Sequence, residues 1–142
     1  MGMIACSSNK ESTNETKNTI PYVIYKIFPH DIEAFTQGLV VANGKLIEGT
    51  GQHGTSWIAE ADIASGQQNK KVVLDKEYFG EGVTVLNNKV YQLTWKNKVG
   101  FIYDFKTYAK LGEFTYDSEG WGITHDDVNL IMSDGSDKLY YL

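Results

Sequence analysis

The stretch that decides the fold is Phe79-Gly-Glu-Gly-Val-Thr-Val-Leu-Asn-Asn-Lys-Val-Tyr-Gln-Leu-Thr-Trp95. Two short runs rich in Val, Leu, Thr and Tyr flank Asn87-Asn88. Runs of this composition favour β-strands. An Asn pair tolerates the positive φ angles that a two-residue hairpin turn requires. The stretch is therefore predicted to be an antiparallel β-hairpin.

Glu81 lies at the open end of this hairpin. Counting outward from the turn pairs Glu81 with Thr94 and Gly80 with Trp95. Directly opposed residues of a ladder lie ~5 Å apart, so the acid and the indole are expected to be neighbours on one rim. A Gly-Glu-Gly segment alone is usually a solvated turn, but a carboxylate beside an indole is the first candidate for chemistry.

The same pattern recurs along the chain. Gly38, Gly82 and Gly122 each precede an aliphatic residue and a hairpin, and they are 44 and 40 residues apart. The first hairpin turns at Asn43-Gly44, the strongest short turn signal. A period of about 42 residues with four short strands per unit, and no helical periodicity, predicts an all-β fold of the β-propeller type. A meander or sandwich with similar turn spacing is the alternative.

Superposing the three units places Gln37, Glu81 and Trp121 at one equivalent position, each directly before a glycine and an aliphatic residue that start the first strand of the hairpin. In a propeller the first strand of each blade lines the central channel, so these residues are expected to ring one channel mouth. Such mouths are concave and form natural ligand sites. An amide, an acid and an indole are therefore predicted to meet in one cavity.

Composition excludes several classes of protein. The 142 residues are 42% hydrophobic and 13% aromatic, as in an ordinary globular domain. With 18 acidic and 13 basic residues the net charge is −5, which argues against nucleic acid as a partner. No apolar run approaches the ~20 residues of a membrane span. His30, His53 and His125 lack metal-ligand spacing, so no metal or other cofactor is predicted.

Residues 1–20 are predicted to be a flexible polar tail. Ile4-Ala5-Cys6 resembles the end of a bacterial lipoprotein cleavage box, in which the cysteine is lipidated. This motif predicts an exported protein of the bacterial cell envelope or periplasm, lipid-anchored at Cys6. An incidental cysteine in a polar tail is the alternative.

Residues 21–142 are predicted to be the propeller part, starting with a strand at Tyr22-Val-Ile-Tyr-Lys-Ile-Phe28 that Pro29 ends. They hold about three units, whereas closed propellers have four to eight blades. The last unit stops at Lys138-Leu-Tyr-Tyr-Leu142, an apolar strand that would present an unpaired edge. We expect the chain to be the N-terminal part of a longer propeller, or else to assemble with copies of itself.

Five segments in this order and spacing resemble the motifs of one enzyme family: Phe35-Thr-Gln-Gly-Leu39, Phe79-Gly-Glu-Gly-Val83, Gln92-Leu-Thr-Trp95, Gly120-Trp-Gly-Ile123 and Ser133-Asp-Gly-Ser136. They are similar to the glutaminyl-peptide cyclotransferases of the plant and bacterial type, the glutamine cyclotransferase family. The resemblance implies a five-bladed propeller that converts the N-terminal glutamine of peptides or proteins to pyroglutamate with release of ammonia, without a metal. It covers residues 22–142, and three later motifs of the family, Asn-Glu-Leu, a further Trp and Thr-Gly-Lys, have no counterpart.

The resemblance implies that Glu81 is the general acid/base and that Phe35, Gln37, Trp95 and Trp121 bind the substrate. Gln37 and the indole N–H groups are then expected to hydrogen-bond the carbonyl groups of the glutamine. Apolar rings around Glu81 are expected to raise its pKa by desolvation, as proton exchange at the amide requires. Glu33, Glu48 and Glu119 compete for the role of the acid. A non-catalytic binding module and an inactive fragment are the alternatives in function.

Overall fold

A computed structural model describes residues 20–142, which form three antiparallel sheets and no helix. The strands of the first sheet, blade 1, are β1 Thr36–Ala42, β2 Lys45–Thr50, β3 Trp57–Ala61 and β4 Gln68–Val73. Those of blade 2 are β5 Gly80–Leu86, β6 Lys89–Thr94, β7 Val99–Asp104 and β8 Lys110–Thr115. Those of blade 3 are β9 Ile123–His125, β10 Leu130–Ser133 and β11 Leu139–Tyr141.

Each blade is a meander in which consecutive strands pair. β5 packs against β1 on one side and against β9 on the other, so the first strands of the three blades lie side by side around a shared axis. This is the propeller arrangement that the repeat predicted, except that blade 3 has three strands in the described part of the chain.

The hairpin turns have the backbone that the sequence predicted. Asn43 and Gly44 have φ angles of 50° and 74°, and Asn87 and Asn88 have 51° and 58°. Two consecutive positive φ angles match the right-handed twist of the flanking strands, which is why Asn and Gly occupy these positions. Leu86 pairs with Lys89 across the second turn.

Two apolar clusters hold the blades together. Between blades 1 and 2 lie the buried side chains of Ile47, Ile58, Val83, Val90 and Phe101, among others. Between blades 2 and 3 lie Leu93, Tyr116 and Met132. Side chains at alternate strand positions therefore fill the space between neighbouring sheets. Each sheet is stabilised by burying these side chains against the next sheet.

The predicted strand at residues 22–28 is wrong. This segment has no strand pairing, and Tyr25 is 98% exposed. β-branched and aromatic residues favour a strand only when a neighbouring strand pairs with their backbone groups, and none of the described strands does so here.

No helix among residues 20–142 combines the length and apolarity needed to cross a bilayer. The predicted tail and Cys6 lie outside the described residues, apart from residue 20.

Candidate active site

A β-bulge in the first strand of blades 1 and 2 positions the candidate residues of those blades. In blade 2, Val83 pairs with Gln92 but Gly80 pairs with Thr94. The two residues Glu81 and Gly82 therefore lie opposite the single residue Leu93. The simple count that paired Glu81 with Thr94 and Gly80 with Trp95 is therefore wrong by one residue. A bulge bends the strand and changes the direction of a side chain. Here the side chain is that of Glu81, which lines the cavity described below.

Blade 1 repeats this irregularity, and blade 3 has a similar hydrogen-bond pattern directly before β9. In blade 1 the register shifts between Thr36 and Gly38, so that Gln37 is the extra residue. In blade 3 the Trp121 N–H donates to the Ser133 carbonyl and the Ser133 N–H donates to the Gly122 carbonyl, so both Trp121 and Gly122 face Ser133. The three residues that sequence superposition made equivalent thus all lie where the backbone departs from regular pairing, at or directly before the first strand of their blade.

Glycines after the bulges let the blades approach closely. The Gly82 N–H donates to the Trp121 carbonyl of blade 3 at 2.8 Å. A Cβ atom on Gly82 would lie 2.6 Å from that oxygen and 2.8 Å from the Ile123 nitrogen. Only glycine fits where two backbones come this close, and the contact brings Trp121 next to Glu81.

Glu81, Gln37, Trp95, Trp121 and Phe79 line one cavity of about 220 Å³. The Gln37 amide Nε2 donates a hydrogen bond to Glu81 Oε2 at 2.8 Å. Phe35 lies outside this lining and packs edge-on against Phe79, with ring centroids 6.2 Å apart. The structure therefore brings four of the five predicted site residues into one cavity, with Phe35 behind its wall.

Burial sets the acidity of Glu81. Its side chain is 8% exposed, and Phe79 packs against Trp95 next to it with ring centroids 5.6 Å apart. Desolvation raises the pKa of Glu81 from 4.5 to about 7; the negative charge of Glu119 adds to this, and the Gln37 hydrogen bond opposes it. The expected upward shift of the pKa is found, and its main cause is the predicted one.

The indole N–H groups of Trp95 and Trp121, which were expected to hydrogen-bond the carbonyl groups of the glutamine, donate to Glu119 in this structure. Trp95 Nε1 donates to Glu119 Oε2 at 2.6 Å, and Trp121 Nε1 donates to the same oxygen at 3.1 Å. Sequence reasoning considered Glu119 only as a competing acid and missed this contact. The position of Glu119 directly before Gly120-Trp121 is the sequence feature that could have indicated this contact.

The other competing acids lie elsewhere. Glu33 is exposed on the segment before β1. Glu48 is buried in blade 1, where its Oε1 atom contacts His30 Nε2 at 2.8 Å and accepts a hydrogen bond from Thr36 Oγ1 at 2.6 Å. Neither lines the cavity that contains Glu81.

Three other clefts are larger. Those of about 310 and 440 Å³ lie beside the hairpin turns, and one of about 330 Å³ lies beside Thr50, Trp57 and Lys71 in blade 1. Glu60 in the first of them is paired with Lys45, and its pKa is lowered by that contact. Within residues 20–142, no cluster of three His, Cys, Asp or Glu side chains has the geometry of a metal site. The candidate active site is therefore the smaller cavity, because it holds the buried carboxyl with a raised pKa.

Comparison with known proteins decides the family. A family model described as glutamine cyclotransferase matches residues 1–142. The chain belongs to the glutamine cyclotransferase family. A relative, the glutaminyl-peptide cyclotransferase of Arabidopsis thaliana, is 40% identical over 115 residues, which are 80% of this chain and 36% of the relative.

Solved structures agree with this membership. The crystal structure of Myxococcus xanthus glutaminyl cyclase superposes with a TM-score of 0.73 at 30% identity, over 80% of this chain and 48% of that one. BamB from Moraxella catarrhalis superposes with a TM-score of 0.58 at 14% identity, over 80% of this chain and 35% of that one, and shows the fold alone. The chain thus spans between a third and a half of the length of these proteins.

In this member of the glutamine cyclotransferase family, Glu81 is expected to make stability fall as pH rises. The folded protein holds the Glu81 proton up to a pKa of about 7, whereas the unfolded chain releases it near 4.5. The contribution is therefore fully present below pH 4.5 and is lost as pH rises through 7. Its size is about 1–3 kcal/mol, since one pKa unit is worth about 1.4 kcal/mol and water in the open cavity screens part of it.

Urea unfolding of the wild type and Glu81→Gln at pH 5 and pH 8 measures this effect. The Gln variant keeps an acceptor for Gln37 but cannot titrate, so the difference between the two proteins isolates Glu81 from all other groups. We expect the wild type to lose more unfolding free energy than the variant between the two pH values. Equal losses would contradict the raised pKa.

Proposed function

We propose that the protein is a glutaminyl-peptide cyclotransferase, an acyltransferase that converts the N-terminal glutamine of peptides to pyroglutamate and releases ammonia. The single observation that carries the proposal is the buried Glu81 carboxyl, with a pKa of about 7, in a cavity walled by Trp95 and Trp121. Membership of the family and the similarity to two proteins named for this reaction support it.

The proposed reaction needs one group that first accepts and then returns a proton. The α-amine nitrogen of the substrate attacks the carbon of its own side-chain amide, and the Glu81 carboxylate takes a proton from that nitrogen. The bond between this carbon and the amide nitrogen then breaks, and Glu81 returns the proton so that the nitrogen leaves as ammonia. The product is a five-membered lactam, and the carboxylate is regenerated.

The raised pKa suits both halves of this exchange. A carboxyl with an ordinary pKa of 4.5 is a weak base toward an amine nitrogen and would not hold a proton at neutral pH. With a pKa near the working pH, the ionised and protonated forms are both accessible, which is where general acid–base catalysis is most efficient.

The contacts within the site support separate roles for the two oxygens of Glu81. Gln37 Nε2 occupies Oε2 and thereby fixes the plane of the carboxyl group. No protein group among residues 20–142 donates to Oε1, which is left to exchange the proton with the substrate. The two indoles and Phe79 supply apolar walls for the methylene groups of the glutamine and exclude water from the reacting atoms.

The experiment measures ammonia released from a dipeptide with N-terminal glutamine. It uses the 142-residue chain and a chimera in which residues 20–142 replace the part of Myxococcus xanthus glutaminyl cyclase on which they superpose. We expect the chimera to release ammonia and the short chain to release little, because it spans less than half of that enzyme. A chimera that melts cooperatively but releases no ammonia would overturn the proposal.

Binding to the 142-residue chain provides a second measurement that does not depend on the chimera. Trp95 and Trp121 line the cavity, so their fluorescence is expected to change on addition of the glutamine dipeptide. An otherwise equal dipeptide with an acetylated amine serves as the control ligand. No fluorescence response to either peptide would count against the site.

We also propose that the protein is exported to the bacterial cell envelope or periplasm and anchored by lipid at Cys6. The support is the Ile4-Ala5-Cys6 sequence alone. Recovery of the wild type in the membrane fraction, with loss to the soluble fraction in Cys6→Ser, is the expected result. Equal partitioning of the two proteins would contradict the anchor.

A further inference from the structure

Glu119 accepts hydrogen bonds from both indoles that line the cavity. It lies in the segment between β8 and β9 and does not line the cavity itself. Its Oε2 atom accepts hydrogen bonds from Trp95 Nε1 at 2.6 Å and from Trp121 Nε1 at 3.1 Å. One carboxylate oxygen therefore sets the position of two rings that belong to different blades.

Backbone contacts hold Glu119 in place. The Gly120 N–H donates to the Trp95 carbonyl at 2.9 Å, and the Trp121 N–H donates to Ser133 at 3.0 Å. On the preceding side, the Tyr116 hydroxyl donates to the Thr94 carbonyl at 2.6 Å and accepts from the Thr94 N–H at 2.9 Å. The segment that carries Glu119 is thus tied to the chain just before and at Trp95, which fixes its backbone next to the two rings.

Trp121 is the more exposed of the two indole walls. It is 48% exposed, and its ring rests over Gly135, where a Cβ atom would lie 2.8 Å away. Because about half of its surface faces solvent, we expect the ring to turn outward if its N–H loses its acceptor. Trp95 also contacts Phe79, so Trp121 is the wall that depends more on Glu119.

We propose that Glu119 is a positioning residue for the cyclisation: its carboxylate holds the indoles of Trp95 and Trp121 so that they enclose the glutamine side chain beside Glu81. The inference rests on the proposed function, because it assigns Glu119 to the same site. It assigns no proton transfer to Glu119, which acts only through the two rings.

Charge gives Glu119 a second effect that can be separated from the first. Hydrogen bonds from Trp121 and Trp95 hold the pKa of Glu119 below its usual range; Lys96 lowers it further and Asp134 raises it. Glu119 therefore stays ionised, and its charge adds to the raised pKa of Glu81. Within residues 20–142, the other contributions to that pKa come from burial and from the Gln37 hydrogen bond. Glu119→Gln keeps an acceptor oxygen and removes the charge, whereas Glu119→Ala removes both.

The first measurement reports directly on the environment of the indole N–H groups. The chain has three tryptophans, so an NMR spectrum of the 142-residue protein has three indole N–H signals. We expect Glu119→Ala to shift the Trp95 and Trp121 signals and to speed their exchange with water, while the Trp57 signal in β3 stays in place. Glu119→Gln is expected to restore slow exchange. Glu113→Ala, on the exposed part of β8, is the matched control.

The second measurement reads the reaction in the chimera. Glu119→Ala is expected to lower kcat/KM for the glutamine dipeptide by about 10–100-fold, because a misplacement of about 1 Å in a site has effects of this size. Glu119→Gln is expected to recover most of this loss and to move the acidic limb of the pH–rate profile to lower pH. If Glu119 were needed only for folding, Glu119→Gln would not recover kcat/KM and at the same time shift the acidic limb of the pH–rate profile.

The outcomes distinguish this inference from the proposed function. Unchanged Trp95 and Trp121 signals in Glu119→Ala would overturn the anchoring, whatever the activity. Shifted signals with unchanged kcat/KM would show that ring position does not serve the reaction and would also overturn it. Absence of ammonia release from the wild-type chimera would overturn the proposed function, and the indole signals would still report on the anchoring.

Discussion

Glu81→Gln is expected to lower the rate of ammonia release by the chimera about 10²–10⁴-fold, the range that a positioned acid/base supplies. The amide keeps the shape of the carboxyl and still accepts the hydrogen bond that Gln37 Nε2 donates at 2.8 Å. It can neither take the proton from the attacking amine nor return it to the departing nitrogen. Because the side chain is 8% exposed, a neutral replacement is also easier to bury at high pH. The fold should therefore survive while turnover does not.

The control for this variant is Glu33→Gln. Glu33 is another acid that the sequence left as a candidate, but it is exposed and lies outside the cavity. Its substitution should leave turnover unchanged. Measuring kcat/KM and the melting temperature for both variants separates chemistry from folding. Near-normal turnover by Glu81→Gln would remove Glu81 from the mechanism.

Gly82→Ala is expected to have the largest effect on stability. The new Cβ atom would lie 2.6 Å from the Trp121 oxygen, 2.8 Å from the Ile123 nitrogen and 3.0 Å from the Gly122 Cα atom. All three are backbone atoms of blade 3, so no side chain can turn away to make room. We expect a loss of about 3 kcal/mol of unfolding free energy or more, from overpacking and from the strained hydrogen bond between Gly82 and Trp121.

Urea unfolding measures this loss, and Gly112→Ala is its control. A Cβ atom on Gly112 has no neighbour within 4 Å, and this glycine has no positive φ angle. Its substitution should leave stability unchanged or raise it by about 0.4–1 kcal/mol through the unfolded chain. If Gly82→Ala were equally harmless, blades 2 and 3 would not be packed as closely as the structure has them. Because Trp121 lies across this contact, its indole N–H signal should shift in Gly82→Ala but not in Gly112→Ala.

Local chemistry explains why much of the site was predictable. The turns at Asn43-Gly44 and Asn87-Asn88 need positive φ angles, and few residues adopt them, so the sequence alone locates both hairpins. The glycine and aliphatic residue that precede each hairpin, at positions 38, 82 and 122, then align Gln37, Glu81 and Trp121. The apolar neighbours of Glu81 in the motifs likewise predict the direction of its pKa shift.

Contacts between distant segments explain what was missed. The bulge at Glu81 depends on the approach of Gly82 to blade 3, about 40 residues away, and counting along a hairpin cannot detect it. The acceptor of both indole N–H groups is Glu119, in a segment without periodic pattern, so the sequence left it as one acid among several.

The sequence by itself determined the blade repeat, the hairpin turns and the identity of the side chains that line the cavity, because these depend on backbone preferences within a few residues. Only the tertiary structure decided the register at the bulges, the coupling of Trp95 and Trp121 through Glu119, and the absence of a strand at residues 22–28. Each of these depends on a partner from another part of the chain, and strand-forming residues without such a partner do not form a strand.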